Sequence, residues 1–169
     1  MFTQFLVCLL LGMCGLGDAH HQPDLNLGLQ GRPCQSSLAD FHGHAMNAVD
    51  GNENPDCTKG SCSITAQQLE PWWRLDLLDT YHISTVSVMA RSDCCSESLI
   101  GAEILIGDSL ENDGKNNPRC AVIDAIEAGT TRSFTCNGML GRYVTIIIPG
   151  REDTLALAEV TVLAGHFQF

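Results

Sequence analysis

The sequence predicts an all-β chain folded as a single β-sandwich. Three observations lead there: short alternating apolar runs set between Gly, Pro, Asn and Asp turn residues, no long amphipathic helix, and no internal repeat or low-complexity tract. The 169 residues suit one domain once a leader is removed, since domains average about 100–200 residues.

Taken in order, residues 1–19 read as a secretory signal peptide. An apolar run from Phe5 to Leu11 is followed by Gly12 to Gly17, with small Gly17 and Ala19 where a signal peptidase cuts. The segment Met1 to Gln4 lacks Lys or Arg, but the competing reading, a buried helix, would show a polar face. Residues 20–25 form an N-terminal extension, 26–164 the domain and 165–169 a tail with no clear role. No later stretch approaches the ~20 apolar residues of a membrane span. A secreted, extracellular product is expected, with no membrane span.

Within the domain, Leu27 and Leu29 alternate with small or polar residues before a turn at Gly31-Arg32-Pro33. His44 to Val49 is the only helix-like piece, and a polar loop runs from Asn52 to Gly60. Trp72 to Leu77 alternates cleanly, with Trp73, Leu75 and Leu77 on one face and Trp72, Arg74 and Asp76 on the other, as a half-buried strand requires. Pro71 stands at its entrance, where a missing donor is harmless. Further strands are expected at Ile83 to Val88, Ala102 to Ile106, Cys120 to Ile123, Arg132 to Thr135, Tyr143 to Ile148 and Ala158 to Val162. The turn-rich segment Glu111 to Pro118 should be an exposed loop.

The net charge of −11 becomes −10 when Asp18 leaves with the leader. Such a surface repels nucleic acid and anionic membranes and suits divalent cations. Of nine cysteines, Cys8 and Cys14 fall in the leader, leaving seven that read as disulfides in an oxidising compartment, with one left free, capped or intermolecular. No Asn-x-Ser/Thr sequon occurs.

The chemistry concentrates at Arg91-Ser92-Asp93-Cys94-Cys95. Adjacent Cα atoms lie about 3.8 Å apart, below the roughly 4.4 Å at which ordinary disulfides begin, so a Cys94–Cys95 bridge is unusual. Its eight-membered ring would offer a hard apolar knob beside the fixed donor fork of Arg91, the two surfaces a sugar needs for its C–H face and its hydroxyls. Separate pairing of the two cysteines stays open at this point. Asp50, Asn52 and Asn54 place oxygen ligands on alternate residues, as calcium uses. An EF-hand is excluded, because Pro55 stands where that loop needs glycine and Ser61 where it needs glutamate. A solvated acidic loop remains the competing reading. His20-His21 and His42-Gly43-His44 lack a third zinc ligand. No nucleophile elbow, zinc-protease helix or phosphate loop occurs, so no enzyme is expected.

Nearly the whole mature length resembles the F-type lectins, the eel fucolectin family. The matching pieces include Asn47-Ala48-Val49-Asp50-Gly51-Asn52, Gly60-Ser61-Cys62, Pro71 to Leu77, Arg91 to Glu97, Gly101 to Ile104, Asn116 to Cys120, Phe134 to Met139 and Gly141 to Val144. The resemblance implies a discoidin-like jelly roll, a bound calcium ion, and recognition of L-fucose on extracellular glycoconjugates, as in innate defence. Position by position, it places calcium at Asn47, Asp50, Asn52, Ser61, Ala158 and Glu159, several of them through backbone oxygens, so that Ala158 serves in place of the usual cysteine. It places the sugar at Arg91, Asp93, Cys94 and Cys95. Two anchors of the family motif are replaced: Ile64 stands where a histidine is usual and Ser98 where a second basic residue is usual. Hydrogen bonds to charged groups contribute roughly 1.5–3 kcal/mol each, so their loss should weaken fucose binding unless His42, His44 or Lys59 compensates. The resemblance also implies a Cys120–Cys136 bridge. Because Ala158 replaces the usual partner of Cys62, Cys57 becomes its alternative partner, with Cys34 free or linking two chains into a homo-oligomer. A module that contacts proteins rather than sugars on the same scaffold is the rival reading, and a small secreted enzyme a more distant one.

Overall fold

The computed structural model describes residues 25–165; the expected leader, most of the N-terminal extension and all but the first residue of the tail lie outside the described residues. Among these residues ten strands appear: β1 (Arg32–Gln35), β2 (Ser63–Ile64), β3 (Gln68–Leu69), β4 (Trp72–Met89), β5 (Glu103–Gly107), β6 (Arg119–Val122), β7 (Thr131–Ile147), β8 (Glu152–Asp153), β9 (Ala156–Leu157) and β10 (Glu159–Ala164). Among the described residues the helical pieces are short 3-10 turns. The main sheet runs β1-β4-β7-β5-β6, with β10 also paired to β4, and β2–β9 and β3–β8 form two small ribbons.

The sandwich is made by two long strands that each serve twice. The first part of β4, Trp72 to Asp76, lies between β1 and the end of β7, whereas Ile83 to Met89 lies between β10 and the beginning of β7. The register breaks between Asp76 and Tyr81, where Leu78 takes a left-handed φ of 70° and its N–H donates to Asp76 Oδ1 at 2.8 Å. Asn137 and Gly138 take φ values of 53° and 73° in β7. These irregularities let one sheet turn back over its own apolar face. Trp73, Leu75 and Ile83, all 0 % exposed, therefore share one core with Val86, Val144 and Ile146. Each such aliphatic side chain contributes about 1.5–3 kcal/mol on full burial.

The alternation over Trp72 to Leu77 is borne out, with Trp73, Leu75 and Leu77 buried. Runs expected as separate strands, Trp72 to Leu77 with Ile83 to Val88 and Arg132 to Thr135 with Tyr143 to Ile148, prove to be the two halves of β4 and β7. Two local expectations are corrected. Leu27 to Gln30 is a 3-10 turn capped by Asn26, whose Oδ1 accepts from Gly28 N at 2.9 Å. The expected turn at Gly31-Arg32-Pro33 instead leads into β1, where Pro33 faces Leu75 on an edge strand that tolerates a missing donor. The Glu111 to Pro118 segment is mostly exposed as expected, and Asn117, 7 % exposed, ties it down by donating to Ser109 O and accepting from Ser109 N.

One contact of the core positions the loops above it. Trp73 Nε1 donates to Ala45 O at 3.0 Å, seating the 3-10 turn Ala45–Val49 with Ala48 and Val49 buried. Asn47 and Asp50 are thereby fixed relative to the sheet.

Candidate functional site

Past the end of β4 the chain enters the Arg91 loop, which neighbours hold from two sides. Ser92 N donates to Pro55 O at 2.8 Å, and Gly129 N donates to Arg91 O at 3.2 Å. Arg91 grips Asp93 with two parallel hydrogen bonds, Nε to Oδ1 at 3.0 Å and Nη2 to Oδ2 at 2.5 Å. Asp93 Oδ1 also accepts from Cys57 N at 3.3 Å. The Arg91 guanidinium holds the Asp93 carboxyl below its usual range. Both side chains are mostly covered, at 14 % and 17 % exposed, so the fork is fixed before any ligand arrives. Nη1 of Arg91 makes no hydrogen bond among the described residues.

Cys94 and Cys95 are bridged to each other, and Cys95 adopts a left-handed φ of 59° before the 3-10 turn Ser96–Leu99. Buried Leu99 anchors that turn to the core. Among the described residues the other bridges are Cys57–Cys62 and Cys120–Cys136, leaving Cys34 without a disulfide partner and exposed.

A cavity of about 320 Å³ opens beside the Arg91 loop, lined by Arg91, Cys95, Ser98, Asp153, Thr154 and Ala156. Of the residues expected from the sequence, Arg91 and Cys95 line it, and Asp93 stands behind Arg91 as a brace. None of His42, His44 and Lys59, the expected substitutes, is among the lining residues. Ile64 lies next to the cavity in β2, paired with Ala156 of β9, and is covered by the 43-loop: Ile64 N donates to Gly43 O at 3.0 Å. Asp153, Thr154 and Ala156 were missed from the sequence. The available signal was that Arg151-Glu152-Asp153 repeats the Arg-x-Asp spacing of Arg91-Ser92-Asp93.

On the other side of Cys57 lies the acidic loop. Asp50, Asn52, Asn54 and Asp56 each accept, through Oδ1, the backbone N–H two residues ahead, a ladder of Asx turns that shapes the loop. Ser61 Oγ donates to Asn54 O at 2.7 Å and Asp56 O at 3.1 Å, closing it from below. Asn47 Nδ2 gathers three carbonyls, those of His42, Gly60 and Cys62. Glu159 reaches this loop from β10, accepting from Gly51 N at 3.2 Å through Oε1. It is 5 % exposed and its Oε2 has no hydrogen-bond partner. Burial pushes its pKa up to about 7, the Gly51 N–H opposes this, and Asp50 and Glu53 raise it further. A buried carboxylate oxygen without a donor, pressed by two more carboxylates, fits a cation. Among the described residues no three His, Cys, Asp or Glu side chains form a metal cluster, so an ion here would also draw on backbone carbonyls. Ala158, fully buried, directs its N–H to Met89 O at 3.1 Å, and only its carbonyl can serve.

Comparisons with known proteins agree with this architecture. A family profile described as a NedA-like, galactose-binding domain of the F5/F8 type C class matches residues 47–146. Fucolectin-1 of Anguilla japonica is 46% identical over 144 residues, covering 82% of this chain and 80% of its own. Among solved structures, an F-lectin (fucolectin) from the serum of striped bass, Morone saxatilis, superposes with a TM-score of 0.81 at 48% identity over 85% of this chain. This chain spans 48% of that longer one. A fucose binding module of Streptococcus pneumoniae superposes with a TM-score of 0.72 at 29% identity, covering 84% of this chain and 99% of the module. With the β-sandwich shared and nearly half the residues identical across four-fifths of both sequences, the chain belongs to the fucolectin family of F-type lectins.

Proposed function

We propose that this protein is a secreted, calcium-containing lectin that binds extracellular glycans through the cavity beside Arg91, with fucose specificity altered from that of its relatives and a role in innate defence. The observation that carries the reading is the juxtaposition of a donor fork locked by Asp93 with a vicinal disulfide, on the wall of a cavity large enough for a sugar ring. A pyranose presents hydroxyls and a C–H face; Arg91 Nη1 meets the first, the Cys94–Cys95 ring and Ala156 the second.

Calcium would be held by Asp50, Asn52 and Glu159, with backbone oxygens of Asn47, Ser61 and Ala158 completing the shell. Its charge would neutralise the buried Glu159 carboxylate and tie β10 to the acidic loop. That loop supports the sugar site directly: Pro55 O accepts from Ser92 N, and Cys57 N donates to Asp93. Ion binding and sugar affinity should therefore be coupled. A glycan array probed with wild type and Arg91→Ala, each with calcium and with chelator, tests the proposal. Retention of neutral glycans by wild type in calcium alone, lost in Arg91→Ala, is the expected outcome. A blank array beside capture of a protein ligand would replace the lectin reading with a protein-contact module.

A further inference from the structure

Two arginine–aspartate pairs with the same spacing flank the cavity, and they are used differently. In the first, Arg91 lines the cavity and Asp93 braces it from behind. The second is reversed: Asp153 lines the cavity while Arg151 stands behind, donating from Nε to Asp153 Oδ2 at 2.9 Å and from Nη2 to Ser98 O at 2.6 Å. Arg151 thus ties β8 to the turn that carries Ser98, on the side of the site where the family's second basic residue would have stood. Asp153 Oδ1 accepts from Thr154 N at 2.8 Å. A carboxylate has roughly four lone-pair positions, and the hydrogen bonds described here use two of them. The acid is fixed in place with acceptor capacity to spare.

We propose that Asp153 is a specificity-determining residue of this site: it accepts a hydroxyl hydrogen from the bound sugar while Arg91 donates to a neighbouring hydroxyl, and Arg151 positions it. This inference rests on the cavity beside Arg91 being the glycan site. A site of the usual family pattern, a histidine and two basic residues, is rich in donors and favours a sugar that accepts at several oxygens. Here Ile64 and Ser98 stand in place of two of those anchors and Asp153 presents an acceptor, so the wall offers one sign of each. Such a pair selects a neutral sugar with vicinal hydroxyls, one accepting and one donating. It also disfavours acidic sugars, whose carboxylate would face the Asp153 charge inside a molecule of net charge −11. Thr154 and Ser98 border the same space and their hydroxyls can adapt to either role.

The test is a chemical-shift titration of the calcium-loaded protein with methyl α-L-fucoside, methyl β-D-galactoside, their monodeoxy analogues and N-acetylneuraminic acid. The proteins are wild type, Asp153→Asn, Arg151→Met and Arg91→Ala, each checked by its thermal melt. In wild type, removal of one particular hydroxyl should weaken binding about tenfold or more, as for a hydrogen bond to a charged group. In Asp153→Asn that analogue should lose little relative to its parent sugar, while N-acetylneuraminic acid binds better than to wild type. Arg151→Met should reduce the same hydroxyl's effect without improving the acidic sugar as much, because the carboxylate remains. A merely structural Asp153 would weaken every ligand alike. If Arg91→Ala abolishes binding but Asp153→Asn keeps the wild-type pattern of deoxy penalties and acid rejection, the inference is overturned and the glycan site stands. If no sugar shifts wild type, or Arg91→Ala binds as wild type does, the site assignment fails and the inference with it.

Discussion

Replacing Glu159 by glutamine should stabilise the protein without calcium and weaken it with calcium, a reversal of order that a purely structural glutamate cannot give. The side chain is 5 % exposed, one of its oxygens has no partner, and its pKa is pushed up to about 7. Raising a carboxyl above its usual value of 4.5 penalises the charged form in the folded state. The Glu159 contribution to the stability of the metal-free protein is therefore most favourable below about pH 4.5, falls as pH rises from there to about 7, and carries the full penalty above it. At about 1.4 kcal/mol per pH unit that penalty is roughly 3 kcal/mol. Glutamine removes it and can still accept from Gly51 N. For a domain of this size about 1 kcal/mol moves the midpoint by roughly 2–4 °C, so at pH 8 with chelator Glu159→Gln should melt several degrees above wild type. Calcium at a hundred times its Kd adds about 2.7 kcal/mol to a protein that binds it only when folded, and the variant should forgo most of this. Calorimetric melts of both proteins, in chelator and in millimolar calcium, read all four values. Equal calcium shifts in the two proteins, or wild type more stable than the variant after verified metal removal, would refute the reasoning.

Further predictions concern the bridges, the sheet and the missing anchors. Non-reducing peptide mapping should find Cys94 and Cys95 oxidised within one peptide and Cys57 joined to Cys62; a link from Cys94 or Cys95 to Cys34 would contradict the structure. Asp76 accepts from Arg142 at 2.7 and 2.8 Å, a pair that holds its carboxyl below the ordinary value of 3.8. Its contribution is full above that value and is lost as pH falls through the lowered one, so Asp76→Asn should cost about 1 kcal/mol near neutrality and progressively less as pH falls below 3.8, as read from denaturant midpoints. Wild type should bind free L-fucose far more weakly than a family member with all its anchors, and Ile64→His with Ser98→Arg should recover part of the difference in a calorimetric titration. Tight fucose binding by wild type would show that Ile64 and Ser98 are not the losses they resemble.

Much of what is local was legible, although the 3-10 turn at Leu27–Gln30 and the strand that follows it were not. The period of two over Trp72 to Leu77 places Trp73, Leu75 and Leu77 in the core because successive side chains of a strand point to opposite faces. The constellation from Arg91 to Cys95 was legible for the same reason: Arg91, Asp93 and the paired cysteines act on one another within five consecutive residues. Asp50, Asn52 and Asn54 offered oxygen ligands on alternate residues, but the ladder of Asx turns that shapes their loop was not foreseen, and only resemblance to the family joined Glu159 to it. Tertiary structure decided the rest. That Leu78 and Asn137-Gly138 are irregularities within continuous strands, not ends of strands, depends on partners present on both sides of them. The role of Asp153 is non-local too, since nothing in the spacing of residues 91 and 153 reveals that they face one cavity. A sequence records which side chains are available and which face they take. Whether an acid stands behind its arginine, as Asp93 does, or in front of it, as Asp153 does, follows only from how the sheet folds over and brings β8 and β9 against the Arg91 loop.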